Sequence, residues 1–235
     1  MVDAGVRYAG NARRPVTSMR LNDLLDLYRS YTPIDEPGSP FAVLLDELAC
    51  LRGATWLRSA LRAGDFAPDF ALPDTPYPQL RLSELLRDGP IVLKFYRGRW
   101  CPFCTLELRA LQRELRGLRA LGAELLALSP QNELETVFTR ERDRLDFPMH
   151  TDLGNLVARQ FGIVYEVHDA VRRLYRTIGI DLPDTQASAD WTLPLPATYL
   201  IAPDRRIAWA HVDPDYLHRA EPAQVLAELE RMQVH

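Results

Sequence analysis

Cys101 and Cys104, in the run Trp100-Cys101-Pro102-Phe103-Cys104, put two thiols one helical turn apart. That spacing suits dithiol–disulfide exchange, in which each sulfur can close on the other. Only a thiolate attacks, and a free thiol with a pKa of about 8.5 is mostly protonated at neutral pH, so the anion needs stabilising. With Cys101 as a helix N-cap, Pro102 falls at the first helical position, where its missing N–H costs nothing, and the sulfur meets the positive end of the helix dipole. Arg97 and Arg99 add cationic charge beside it, and Trp100 flanks it. The spacing therefore assigns Cys101 as the more exposed sulfur of lower pKa, and Cys104, one turn inward, as its resolving partner. Zinc sites want four ligands, and there is no second cysteine pair. The five histidines, at 150, 168, 211, 218 and 235, show no ligand spacing relative to the thiols, and Thr105 stands where haem attachment would need a histidine. The reading is of a site with no metal and no cofactor other than its own redox-active disulfide.

The elements that must position this pair follow from periodicity. Ile91 to Tyr96 is a near-continuous apolar run of the kind buried on both faces of a sheet, and the Cys-x-x-Cys helix follows it to about Leu121. Gly122 ends that helix, and Ala123 to Leu128 makes a second buried strand, parallel to the first. A helix over 131–145, a strand end at 149–152, a helix over 153–161 and an extended piece over 163–167 come next. The pattern then loosens, and 181–191 reads as a polar linker. The runs 195–201 and 207–212 form an antiparallel hairpin, and a last helix runs from Glu221 to about Met232. Upstream, 18–31 and 41–61 carry apolar residues at helical spacing and predict two helices. Gly64 to Asp74 reads as a turn into a short strand that Leu80 to Leu82 would pair with, and Ser83 as the cap of a short helix. Residues 1–17 have no period. The expected organisation is an N-terminal extension, 1–62, carrying two helices, ahead of one α/β domain, 63–235. Strand, helix, strand, helix, then hairpin and helix is the order of a thioredoxin-like fold, a central mixed β-sheet flanked by helices.

Composition limits the partners. The chain has 235 residues, 47% hydrophobic, and a net charge of −4, so no basic field draws it to nucleic acid. Of its 28 basic residues only Lys94 is a lysine. Three cysteines in so long a chain are too few for a secreted disulfide framework and suit a reducing cytoplasm. No apolar run of signal-peptide or membrane-spanning length is present. Cys50 reads as a small buried hydrophobe of the second helix, and Lys94 as a stem snorkelling along the sheet, the alternative being a base of lowered pKa.

Beyond the thiols, Gly64-Asp65-Phe66-Ala67-Pro68-Asp69-Phe70, Phe95-Tyr96-Arg97-Gly98-Arg99-Trp100, Leu128-Ser129-Pro130-Gln131 and Pro196-Ala197-Thr198-Tyr199-Leu200-Ile201 form a set. Together with the Cys-x-x-Cys they resemble the alkyl hydroperoxide reductase C / thiol-specific antioxidant (AhpC/TSA) superfamily, in its peroxiredoxin-like bacterial branch. The resemblance implies a thiol-dependent antioxidant oxidoreductase, acting on a peroxide or a disulfide and recycled by a thioredoxin-like or other thiol reductant. It implies that Pro196 is the cis proline that opens the strand beside the Cys helix, and that Glu107 matches a peroxiredoxin-like glutamate. Typical members carry Pro-x-x-x-Thr-x-x-Cys. Aligned on Cys104, this chain has Arg97 for the proline and Cys101 for the threonine, and Pro196 stands where their active-site arginine would be. That alignment makes Cys104 the attacking sulfur, against Cys101 on helix-dipole grounds. The competing reading is a redox sensor or binding protein of little turnover, with helices 18–62 packing on a partner or on a second copy in a homodimer.

Overall fold

The computed structural model of the chain describes residues 19–34, 36, 38–71 and 81–233. The first helix, α1 (Leu21–Ser30), turns Leu21, Leu24 and Leu25 inward. The expected helix over 41–61 is broken: a 3₁₀ turn (Pro40–Ala42) leads into α2 (Val43–Gly53), and a second 3₁₀ turn (Thr55–Ser59) follows. Gly53 lacks the side chain that would hold helical backbone against that break. Near Phe66 and Ala71 there are only isolated bridges, to Arg206 and Arg81, in place of the expected strand; Leu80, its proposed partner, lies outside the described residues. The short α3 (Leu82–Leu85) follows, with Arg81 at its N-cap; Ser83 instead donates its backbone N–H and its hydroxyl to Asp69.

From there the expected order holds through β1 (Ile91–Phe95), α4 (Pro102–Ala120), β2 (Glu124–Ser129), α5 (Glu133–Asp143), β3 (Met149–Thr151), α6 (Leu156–Gln160) and β4 (Val164–Glu166). The segment read as loosening holds α7 (Asp169–Thr177), and the polar linker holds the one-turn α8 (Leu182–Thr185). The run 195–201 is not one strand. Pro196 separates β5 (Thr192–Pro194), which pairs with β4, from β6 (Ala197–Ile201), which pairs with β1 and with β7 (Ile207–Val212). The C-terminal helix α9 (Pro222–Gln233) completes the order.

The main sheet runs β3-β2-β1-β6-β7, parallel on the β3-β2-β1 side and antiparallel on the other. It is the mixed, helix-flanked sheet of a thioredoxin-like fold. Strand alternation divides its two faces. Ile91, Leu93 and Phe95 enter one cluster, where Phe95, Phe161 and Tyr199 meet with centroids 4.9 to 6.1 Å apart. Val92 and Tyr96 enter the other, beneath α4 and α9, with Leu108, Leu111 and Leu115. Lys94 alternates with Val92 and Tyr96, so its position alone sends it under α4. The N-terminal segment docks on this frame: Leu21 and Leu25 pack on Ala110 of α4, and the backbone at Ser59 crosses so close to Gly162 that a Cβ there would come within 2.5 Å of the Ser59 carbonyl.

Asp152, buried after β3, accepts the N–H groups of Val157 and Ala158 at 2.8 and 2.9 Å. Burial, only partly opposed by those bonds, pushes its carboxyl from 3.8 up to about 6. A carboxyl raised on folding adds stability below its unfolded pKa and loses it as pH rises through its folded value. With each pKa unit worth 1.36 kcal/mol, the loss is about 3 kcal/mol between about pH 4 and pH 7.5. Urea unfolding of wild type and Asp152→Asn should show their stability difference moving that far in the variant's favour over the range; a pH-independent difference would contradict it.

Candidate active site

The loop leaving β1 sets the geometry. Gly98 takes φ 148°, and a Cβ there would fall 2.7 Å from the Trp100 indole nitrogen, so glycine lets the chain turn beneath that ring. The Cys101 N–H closes the turn on the Gly98 carbonyl at 3.1 Å. Cys101 is the N-cap of α4, Pro102 its first residue, and the Cys101 sulfur accepts the backbone N–H of Cys104 at 3.4 Å. The capping arrangement expected from the sequence is present.

Its exposure is not as expected. Both sulfurs are fully buried, so Cys101 is not the more exposed of the two. The two sulfurs pack into the cluster beneath α4 with Val92, Tyr96 and Leu108, and Tyr28 of α1 meets Phe103, between them in sequence, edge-on at 5.3 Å. Arg97 is buried rather than solvated. Its Nη2 donates to the Cys101 sulfur at 3.1 Å and its Nη1 to the Tyr175 hydroxyl at 3.4 Å, while its guanidinium lies 4.0 Å over the Tyr216 ring and 5.3 Å from Trp100. Arg99 does not reach the sulfurs. It pairs with Glu135, lies over Phe138, and donates its backbone N–H to Gln131.

Under Cys104 lies a charged cluster. Lys94, read as snorkelling, is instead 1% exposed and sealed in: its Nζ donates to Glu107 Oε1 at 2.5 Å and to the Thr198 hydroxyl at 3.2 Å. The other Glu107 oxygen accepts Arg219 Nη1 at 3.1 Å, and Arg219 Nη2 lies 3.9 Å from the Cys104 sulfur. Sequence reasoning did not find Arg219. It sits in the irregular stretch between β7 and α9, and no spacing marks it. A guanidinium therefore does stand by the thiols although Pro196 replaces the expected arginine. Pro196 itself is buried at the junction of β5 and β6, but no cis peptide bond occurs among the described residues, so the expected cis geometry is absent. Pro196 here joins strands of two different sheets, with the Leu195 N–H given to the Ile163 carbonyl at 2.8 Å. Cys50 is exposed, because the buried stripe of α2 runs through Glu47, Leu48 and Leu51.

These contacts separate the two thiols. Burial resists ionisation of Cys101, but the hydrogen bond from Cys104, the Arg97 and Arg219 charges and the Arg97 hydrogen bond outweigh it and hold the thiol well below its ordinary range. Burial, the bond it gives Cys101 and the negative charge there push Cys104 well above that range. The contacts thus favour the anion on Cys101 and the proton on Cys104. A cavity of about 320 Å³ opens onto Cys101, bordered by Arg97, Trp100, Tyr175 and Tyr216. A larger and shallower one of about 590 Å³ lies around Cys50 and His168 and touches neither sulfur of the pair, so it plays no part in this chemistry.

The sequence model of the AhpC/TSA family matches residues 63–210, more than half of the chain. The chain belongs to the AhpC/TSA family. Among AhpC/TSA relatives, a putative peroxiredoxin of Mycobacterium tuberculosis is 37% identical over 106 residues, 44% of this chain and 67% of that one. Peroxiredoxin Bcp of Escherichia coli is 28% identical over 127 residues, 52% of this chain and 81% of that one. The crystal structure of peroxidoxin BcpB from Mycobacterium tuberculosis superposes with a TM-score of 0.56 at 26% identity, covering 73% of this chain and 98% of that one. This AhpC/TSA protein is a peroxiredoxin-like, thiol-dependent oxidoreductase with an antioxidant role. Among its described residues, no helix is long and apolar enough to cross a membrane.

Proposed function

We propose that the protein reduces hydroperoxides through a Cys101–Cys104 dithiol cycle in a 63–235 catalytic domain, with α1 and α2 of a 1–62 extension bordering the site. The Cys101 thiolate attacks the terminal oxygen of a hydroperoxide; the O–O bond breaks, and the alkoxide leaves as alcohol after taking a proton. Cys101 is then a sulfenic acid. Cys104 loses its proton and attacks the Cys101 sulfur, the hydroxyl leaves as water, and the disulfide closes. Two thiols and one hydroperoxide give one disulfide, one alcohol and one water, and an external thiol reductant, of the thioredoxin type or another, restores the dithiol. Besides the redox-active disulfide, this cycle calls on no cofactor.

The observation that carries the reading is Arg97 Nη2 at 3.1 Å from a sulfur capping a helix N-terminus. Guanidinium and dipole both favour the anion, and a hydrogen bond to a charged group contributes about 1.5–3 kcal/mol. Cys101 borders a cavity of about 320 Å³ and has no open surface of its own, which favours a hydroperoxide that enters the cavity over a folded protein's disulfide. Mass spectrometry of Cys104→Ser after one equivalent of peroxide tests the assignment. A sulfenic acid on Cys101 is expected. Rapid sulfenic acid formation on Cys104 in the complementary Cys101→Ser protein would reverse the roles, in line with the alignment on Cys104.

A further inference from the structure

The cavity at Cys101 is much larger than the reaction needs. Hydrogen peroxide has two heavy atoms and fills about two water volumes, roughly 60 Å³, whereas the cavity holds about 320 Å³. Its outer wall is built by residues upstream of the family match: Tyr28 and Thr32 at the end of α1, Ile34 in the connection, Phe41 in the 3₁₀ turn and Leu44 in α2. Ile34 is buried and Phe41 and Leu44 half-buried, each packed on the main core, so the wall is fixed rather than a loose flap. Ile178 and Ile180 also line the cavity, and the polar groups among its lining include Arg97, Cys101 and, from the N-terminal side, Arg29. A mostly apolar enclosure with a few convergent polar groups at one end binds a ligand that is apolar at one end and reactive at the other.

We propose that the N-terminal segment is the specificity wall of the site, and that Ile34, Phe41 and Leu44 select hydroperoxides with a bulky apolar body over hydrogen peroxide. This rests on the reading of Cys101 as the attacking thiolate. The peroxide end lies against the Cys101 sulfur and the Arg97 guanidinium, and the hydrocarbon body fills the space beneath α1 and α2. Apolar pockets discriminate by occupied volume, about tenfold or more for each well-packed carbon group, so loss of this volume shows as a change in substrate preference.

The test compares kcat/KM for cumene hydroperoxide and hydrogen peroxide. Wild type should favour cumene hydroperoxide by about tenfold or more, and Leu44→Trp, which fills the cavity, should lower that ratio by at least about tenfold. Ile34→Ala, which removes part of the wall without adding bulk, should lower it by a smaller factor and serves should the tryptophan variant misfold. A ratio within twofold of wild type in both variants overturns the proposal. Calorimetric titration of Cys101→Ser with cumyl alcohol, the unreactive product, separates wall from chemistry. Saturable binding that Leu44→Trp abolishes supports the wall even if no hydroperoxide is turned over, in which case the reading of Cys101 fails instead. Absence of binding overturns the wall whatever the turnover.

Discussion

Replacing Cys101 by Ser should cost on the order of 10⁴-fold or more in peroxide turnover, the scale on which enzymes lose rate when the nucleophile itself is removed. Cys104→Ser should differ in kind. It keeps the first chemical step, consumes a single equivalent of peroxide and then stalls, because no sulfur remains within reach to close the disulfide. Arg97→Met should fall between them. It removes a charged hydrogen-bond donor 3.1 Å from the Cys101 sulfur, a loss of about 1.5–3 kcal/mol that raises the thiol by about one to two pKa units. Stopped-flow rates for the first turnover across pH read all three. Wild type should hold its rate down to a pH well below the ordinary thiol range, and Arg97→Met should lose rate progressively as the pH falls below its raised pKa. Equal single-turnover rates for Cys101→Ser and wild type would remove Cys101 from the chemistry.

The second large effect concerns stability. Glu107→Ala should destabilise the fold by about 3–5 kcal/mol, because it leaves the Lys94 and Arg219 charges buried without a counter-ion. Measured against a total of about 5–15 kcal/mol for a domain, that brings the protein close to unfolding. Lys94→Met should cost less, since Glu107 keeps Arg219 at 3.1 Å and the replacement occupies the same apolar slot between Val92 and Tyr96. Burial lowers the Lys94 pKa in spite of Glu107. The unfolded chain therefore binds more protons at this site, and wild type should gain stability as pH rises toward the unfolded lysine value of about 10.4, a gain that Lys94→Met loses. Urea midpoints for the three proteins decide it; similar costs for Glu107→Ala and Lys94→Met would mean that the cluster does not work as a shared pair.

What the sequence showed of this arrangement was local in origin. Pro102 after Cys101 is enough to place a cap, the apolar run at 91–96 is enough to place a central strand, and both are where the residues put them. Lys94 was misread because its environment is made by Glu107 and Arg219, thirteen and 125 positions away, and a lone lysine in an apolar strand carries no sign of them. Pairing across that distance leaves no periodic signal. The exposure of Cys101 failed for a related reason: an N-cap is exposed on an isolated helix, and here Arg97 and the core beneath α4 close over it. The split at Pro196 was hidden because the residues on both sides suit strands, and their sequence does not say that they belong to two different sheets. Arg219 lies in a stretch without regular structure, where no rule of spacing applies.

The start of α1 is tied to the segment that carries Arg219. The backbone N–H groups of Leu21 and Asn22 both end on the Glu221 carboxylate, at 3.1 and 2.8 Å, and the Asn22 side chain bonds the Arg219 carbonyl and N–H at 3.0 and 3.3 Å. The family match begins after the first of these residues and ends before the last. A protein trimmed at both ends to the matched span would therefore lose the α1 and α2 residues that line the cavity at Cys101 together with the guanidinium beside Cys104. Grafting this dithiol onto another AhpC/TSA core has to carry both flanks together, because the Asn22 and Glu221 bonds tie one flank to the other outside the matched span.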